Sequence, residues 1–139
     1  MTFSKILVCI DGSKYSSKAL KTACDIATKN NSSVTLIYVV DKSKKSDVLA
    51  GAEYMEIIRK YAQEALDDAK KLALSYGITP EISIKEGNVG NEIIQYSKKI
   101  KSDLIVVGNK GLGAVLKFVL GSVSAKVSQH SLCSVLIVK

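Results

Sequence analysis

Three short segments of the 139-residue chain carry residue types that suit the binding of an anionic ligand. Asp11 directly follows an apolar run, and its carboxylate is placed to accept hydrogen bonds from sugar hydroxyls. Glycines recur within residues 108–113, where they let the backbone come close to phosphate groups. Gly121 and Ser122 open a helical stretch, which offers free N–H groups, a hydroxyl and the positive end of the helix dipole. Together these residues predict an anion or nucleotide site.

A purely structural explanation is open for each feature as well. Asp11 is equally suited to cap the first helix or to tighten its turn, and the glycines to serve turn geometry alone. The chain has no GxxxxGK[ST] sequence, so it has no P-loop, and Leu116 stands where a GxGxxG motif would need its last glycine. Lys110 and Lys117 are candidates to add positive charge. The residues by themselves therefore indicate a ligand class and no reaction.

Charge is unevenly distributed along the chain. The formal net charge is +7, and residues 1–70 contribute +2 of it, from 11 basic and 9 acidic side chains. Residues 71–139 contribute +5, from 9 basic and 4 acidic side chains, which favours the C-terminal half as the place for an anion. A solvated lysine-rich surface is the alternative. Basic clusters interleaved with aromatic residues are missing, which argues against nucleic acid as the ligand.

The cysteines and the apolar runs indicate a cytoplasmic protein. Cys9, Cys24 and Cys133 are odd in number and form no CxxC or Cys/His cluster, so buried reduced thiols in a reducing compartment are expected. No apolar run approaches the ~20 residues that a membrane span needs. The first ten residues have a strand pattern and lack the features of a signal peptide.

Strand-like and helical stretches alternate along the sequence. The predicted strands are residues 5–10, 34–40, 81–86, 103–107 and 135–138, and the predicted helices run from about 16 to 30, 50 to 76, 88 to 100 and 121 to 130. A polar stretch at residues 41–47 is predicted to be a mobile loop.

This alternation predicts an α/β fold, an open five-stranded parallel sheet with helices on both faces, in one domain spanning residues 1–139. The first and fourth strands are uniformly apolar and belong in the centre, whereas the amphipathic third strand belongs at an edge. The order 3-2-1-4-5 follows. The chain then reverses direction between strands 1 and 4, and a ligand is expected there, outside the C-terminal strand ends.

The glycine spacing resembles that of a known family. Gly108, Gly111, Gly121 and Ser122 reproduce the G-2x-G-9x-G-[S/T] signature of ATP-binding universal stress proteins. The sequence around this signature, GNKGLGAVLKFVLGSVSAKV, is similar to the sequences of that family, as are the segments KILVCIDGS, LIYVVD and SVLIVK elsewhere in the chain. The resemblance covers essentially the whole sequence. It implies a fold of the adenine nucleotide alpha hydrolase type that holds ATP, with an accompanying Mg²⁺ or Mn²⁺ whose protein ligands the resemblance leaves unnamed.

The resemblance also implies a role for individual positions. Asp11 matches an aspartate that contacts ribose, Val39 a residue whose backbone recognises adenine, and Gly108 a glycine beside the ribose. The remaining matched positions line the adenine side of the first loop (Cys9, Ile10) or cradle phosphates (Gly111, Gly121, Ser122, Val123). Asn109 and Lys110 depart from common family usage, and Lys110 keeps a positive charge without the two-pronged contact of an arginine.

The expected function is that of a nucleotide-dependent stress-response switch, in which ATP orders residues 109–120. The alternatives are a slow ATPase or nucleotidyl transferase on the same fold, and a ligand-free protein acting through dimer contacts. The only histidine, His130, is expected on a surface or helix end, and Cys133 lies at a strand start, so catalytic equipment is sparse. The last strand, from Val135 to Val138, is apolar on both faces yet lies at the sheet edge, which predicts a homodimer through it, as in the family.

Overall fold

Five strands and four helices are present in the computed structural model, which describes residues 3–42, 51–111 and 120–139. In chain order they are β1 (Lys5–Cys9), α1 (Lys14–Asn30), β2 (Ser33–Asp41), α2 (Gly51–Ser75), β3 (Glu81–Gly87), α3 (Val89–Ile100), β4 (Leu104–Gly108), α4 (Ser122–His130) and β5 (Ser134–Val138). The predicted loop at 41–47 differs at its start, because Asp41 closes β2, and residues 43–47 lie outside the described part of the chain.

The sheet is parallel throughout, and its order β3-β2-β1-β4-β5 confirms the predicted topology. β1 pairs with β2 on one side, where Lys5 lies opposite Ser33, and with β4 on the other, where Ile6 lies opposite Leu104. Apart from Lys5, the residues of β1 and β4 are apolar and buried, because helices cover both faces of these strands. Successive strands are added outwards from β1 to β2 and β3 on one side and from β4 to β5 on the other, so a crevice opens at the carboxyl ends of β1 and β4.

Each face of the sheet carries its own apolar core. Side chains of β1, β2 and β4 pack against α1 and α2 on one face, with Ile6 and Leu66 fully buried there. The alternate side chains of the same strands pack against α3 and α4 on the other face, around Leu7 and Val127. Because side chains alternate along a strand, the two cores use neighbouring residues of one apolar run.

Local signals set the ends of the first and third helices. Ser13 caps α1, and its hydroxyl accepts a hydrogen bond from Ser16 N, so the helix begins at Lys14, two residues before the predicted start. Asn88 caps α3 in the same way, since its side chain accepts a hydrogen bond from Asn91 N, and the helix begins at Val89, one residue after the predicted start. The described ranges contain no helix that is long and apolar enough to span a membrane.

Asp103 fixes the entry to β4 beside the start of β1. Its carboxylate accepts hydrogen bonds from the Ser4 and Lys5 backbone N–H groups and from the Ser4 hydroxyl, at 2.8 to 2.9 Å. Partial burial raises the pKa of the Asp103 carboxyl, and these hydrogen bonds outweigh it, so that the pKa is lowered. The two strands that border the crevice are thereby tied at their amino ends.

Candidate functional site

A cavity of about 540 Å³ opens at the carboxyl ends of β1, β2 and β4. Its size lies within the ~300–1,000 Å³ that is usual for ligand sites. It occupies the crevice where the strand order reverses, the place that the sequence predicted for a ligand. All ten residues predicted to contact the ligand line it: Cys9, Ile10, Asp11, Val39, Gly108, Lys110, Gly111, Gly121, Ser122 and Val123.

The turn after β1 holds Asp11 at the cavity wall. Its Oδ1 accepts a hydrogen bond from Ser13 N at 2.8 Å, so Asp11 tightens the turn. The alternative that Asp11 caps α1 is wrong, because Ser13 does so. Asp11 N donates a hydrogen bond to Ser16 Oγ at 3.4 Å, and Ser16 Oγ donates one to the Ser13 carbonyl oxygen. The hydrogen bond within the turn therefore uses one carboxylate oxygen of Asp11. The other, Oδ2, lies beside Gly111, and a Cβ built on Gly111 would be 3.0 Å from it.

The amino end of α4 forms the opposite wall. Gly121 is the N-cap residue, and it brings no side chain to accept from the N–H groups of the first turn. The Asn109 carbonyl accepts from Gly121 N at 2.9 Å and from Ser124 Oγ at 3.1 Å, which anchors α4 to the segment after β4. The helix thus presents its positive end and the exposed Ser122 hydroxyl to the cavity.

Two glycines allow the walls to approach one another. A Cβ on Gly108 would lie 2.9 Å from the carbonyl carbon of Tyr15, so the end of β4 touches the backbone of α1. A Cβ on Gly111 would crowd Asp11 Oδ2. Gly108 therefore has a packing role, which the sequence did not reveal, besides its place on the cavity wall.

Apolar side chains make up much of the cavity lining. Residues that the sequence analysis did not single out for the site contribute to it or to the rim: Ser16, Ile37, Tyr38, Asp41, Val89, Ile93, Val107, Leu120 and Ser124. The spacing of Val89 and Ile93 on one helix face was the available signal for two of them, because residues four apart share a face. The apolar side chains of the lining suit the burial of an aromatic ring.

Two ionisable groups beside Asp11 stay neutral. Burial, and then the Asp11 carboxylate, raise the pKa of the Cys9 thiol to about 12. Burial raises the pKa of Tyr38 to about 12, with smaller contributions from Tyr61 and Asp11. Neither side chain is therefore ionised at neutral pH, and Cys9 is a poor nucleophile because the thiolate is the reactive form.

The charged residues of the described lining are Asp11, Asp41 and Lys110. Lys117, the other predicted cation, lies outside the described residues. Within residues 3–42, 51–111 and 120–139, no three His, Cys, Asp or Glu side chains are grouped as metal ligands would be. The polar groups of the lining are carboxylates, which accept hydrogen bonds, and hydroxyls, N–H groups and an ammonium group, which donate them; this combination suits a sugar phosphate.

Neither His130 nor Cys133 is among the described residues that line the cavity. His130 is the last residue of α4 and is exposed, as predicted. Cys133 is half-buried, 3.7 Å from Ser97 Oγ and 4.0 Å from Ser102 Oγ, whereas Cys9 and Cys24 are buried; all three cysteines are free. The expectation of three buried thiols is thus wrong for Cys133.

Comparisons with known proteins agree with this architecture. A model of the universal stress protein family matches residues 2–139. A universal stress protein of Methanocaldococcus jannaschii is 36% identical over 140 residues, which cover 99% of this chain and 82% of that protein. The solved structure of the universal stress protein UspA of Lactobacillus plantarum superposes with a TM-score of 0.89 at 25% identity, over 100% of this chain and 99% of that one. A universal stress protein solved in complex with cAMP gives a TM-score of 0.68 at 26% identity, over 100% and 98% of the two chains.

Proposed function

The chain belongs to the universal stress protein family, and we propose that it is an ATP-binding member that acts as a nucleotide-dependent stress-response switch. One observation carries the proposal. The carboxylate of Asp11 and the amino end of α4 line the same cavity, with Gly111 against Asp11 Oδ2. A nucleotide needs an acceptor for its ribose and donors for its phosphates, and this cavity supplies both.

The proposal assigns the base to the deep end of the cavity. The adenine ring lies between the apolar side chains, with the backbone of Val39 reading its edge and Cys9 and Ile10 beside it. The relative with bound cAMP supports an adenine nucleotide as the ligand class. Asp11 Oδ2 accepts from a ribose hydroxyl, close to Gly108.

The phosphates lie at the amino end of α4. Gly121, Ser122 and Val123 offer backbone N–H groups and a hydroxyl, and Gly111 leaves room for the phosphate chain. Lys110 adds a positive charge. A divalent cation, Mg²⁺ or Mn²⁺, accompanies the triphosphate in this proposal; water and phosphate oxygens supply most of its ligands, as is usual for Mg²⁺.

The residues around the cavity favour a switch over an enzyme. The two buried groups beside Asp11, Cys9 and Tyr38, hold their protons tightly, and His130 is not among the described residues that line the cavity. Bound ATP, by contrast, contacts both the turn after β1 and α4, and residues 109–120 connect β4 to α4 in the chain. A ligand that bridges two elements in one state shifts the population towards that state.

Nucleotide analysis tests the proposal directly. The purified protein is denatured and the released nucleotide is identified by mass spectrometry, and the refolded or nucleotide-free protein is titrated with ATP by calorimetry. We expect ATP to be released and to bind again. A protein that neither carries nor binds an adenine nucleotide refutes the proposal. Conversion of bound ATP to ADP over hours would favour the alternative, a slow ATPase or nucleotidyl transferase.

The same proposal extends to assembly and location. β5 pairs only with β4 among the described strands, so one edge of an apolar strand faces outwards. We propose that residues 1–139 form one domain that dimerises through Val135 to Val138, and that the three free cysteines reflect a cytoplasmic location. Sedimentation at tens of micromolar tests the dimer, and a monomer at that concentration counts against it.

A further inference from the structure

The ring of Tyr61, on α2, lies against the turn that carries Asp11. A Cβ built on Gly12 would be 2.9 Å from Cζ of Tyr61 and 3.0 Å from Cε1, with the hydroxyl oxygen closer still. Gly12 itself has a φ of +83°, a conformation that L-residues with a side chain rarely adopt. Both facts favour glycine at position 12: the positive φ strains any residue with a side chain, and the Tyr61 ring occupies the space that a side chain would enter.

Tyr61 is itself held by the cavity wall. Its ring meets that of Tyr38 edge-on, with centroids 6.4 Å apart and planes at 68°, an arrangement that aromatic pairs favour. Tyr38 is 8% exposed, belongs to β2 and lines the cavity. Tyr61 therefore joins two parts of the site that are distant in sequence, the wall at β2 and the turn after β1.

Hydrogen bonds between neighbouring residues also hold the turn. Ser13 N donates to Asp11 Oδ1, and Asp11 N donates to Ser16 Oγ. Glycine has more backbone freedom than any other residue, so a turn centred on Gly12 loses order easily when a packing partner is removed. We propose that Tyr61 is a positioning residue, which presses on Gly12 and so keeps Asp11 Oδ2 aimed into the cavity. This inference rests on the proposed function, because Asp11 acts there on the ribose.

Three variants test the inference: Tyr61→Ala, Tyr61→Phe and Tyr54→Ala. Tyr54 is the matched control, since it lies on the same helix and is 41% exposed, against 40% for Tyr61. A hydrogen bond to a charged group contributes roughly ten- to a hundredfold to affinity. An Asp11 carboxylate that no longer points at the ribose loses part of that contribution. We expect ATP to bind about tenfold more weakly to Tyr61→Ala, measured by calorimetry, and with nearly unchanged affinity to Tyr61→Phe and Tyr54→Ala.

Amide hydrogen exchange supplies a second readout that needs no nucleotide. The N–H of Ser13 reports on the turn, because it donates to Asp11 Oδ1. We expect this amide to exchange several-fold faster in Tyr61→Ala than in the wild type, and at the wild-type rate in Tyr61→Phe. If the wild type binds no ATP the proposed function fails, whereas the Ser13 exchange rate still decides whether Tyr61 holds the turn.

A double-mutant cycle isolates the contact from general loss of stability. Gly12→Ala is strained by its φ in any background, but it crowds the ring only where Tyr61 is present. We expect Gly12→Ala to lower the urea midpoint less in the Tyr61→Ala background than in the wild type. Additive effects, wild-type ATP affinity with unchanged Ser13 exchange in Tyr61→Ala, or an equal loss of affinity in Tyr54→Ala would each overturn the inference.

Discussion

Placing a carboxylate at the N-cap of α4 should abolish tight binding of ATP without unfolding the protein. Gly121 has φ −61° and ψ 152°, which any residue adopts, and Asp is among the preferred N-cap residues. In Gly121→Asp the new carboxylate accepts from the N–H groups of the first turn. Those groups are then no longer available to a phosphate, and the negative charge repels it.

The electrostatic part of the loss can be calculated. With a carboxylate about 5 Å from the nearest phosphate and an effective dielectric constant of about 20, the repulsion is about 332/(20 × 5), or about 3 kcal/mol. That corresponds to roughly a hundredfold weaker binding. Because salt screens exposed charges, the loss should shrink as ionic strength rises.

Gly121→Asn is the matched control. It introduces the same Cβ, which would lie 3.2 Å from the Asn109 carbonyl oxygen, and the same capping geometry without the charge. Calorimetric titration with ATP should give an affinity within about tenfold of the wild type for Gly121→Asn, and an affinity about a hundredfold weaker for Gly121→Asp than for Gly121→Asn. Urea midpoints of the two variants should agree. Equal ATP affinities in the two variants would refute the assignment of the phosphates to the amino end of α4.

Three further predictions concern packing and protonation. Gly108→Ala should lower stability by ~1–3 kcal/mol, seen as a lower urea midpoint, because its Cβ would overlap the Tyr15 backbone; an unchanged midpoint would contradict the close approach. Because folding lowers the pKa of Asp103, its carboxylate stabilises the fold at pH values above its ordinary pKa of 3.8. This stabilisation is lost as the pH falls through the pKa of the folded state. Asp103→Asn should therefore lower the free energy of unfolding at pH 7 by about 1 kcal/mol or less, because water screens this partly exposed carboxylate, and by still less below the folded pKa; a loss that does not change with pH would contradict this. Iodoacetamide at neutral pH should modify Cys133 well before Cys9, which burial protects, with the difference lost in denaturant.

The topology was predictable because its signals are simple. Continuous apolar runs in β1 and β4, against the alternating pattern of β3, are enough to place the strands in the order seen. The predicted starts of α3 and α4, at about residues 88 and 121, lie one residue before the observed starts at Val89 and Ser122. The start of α1 was misplaced because Ser13, Ser16 and Ser17 are all acceptable caps in sequence, and only the bond from Ser16 N to Ser13 identifies the one used.

The cavity lining was predictable only where a residue carries its own signal. Asp11 and the glycines stand out at strand and helix ends, whereas Ile37 and Val107 look like any core residue. The contact between Tyr61 and Gly12 joins positions 49 residues apart, and nothing in the local pattern of α2 marks it. Side-chain contacts between distant elements depend on the packing of the whole fold, which local periodicity does not encode.

An NMR titration tests most directly whether the turn after β1 and the amino end of α4 hold one nucleotide. ATP is added to the ¹⁵N-labelled protein and the backbone amide signals are followed. We predict that Asp11, Gly111 and the first turn of α4 shift together with one affinity, while amides at the β3 edge stay in place. Saturable shifts confined to another surface, or none at millimolar ATP, would contradict the account.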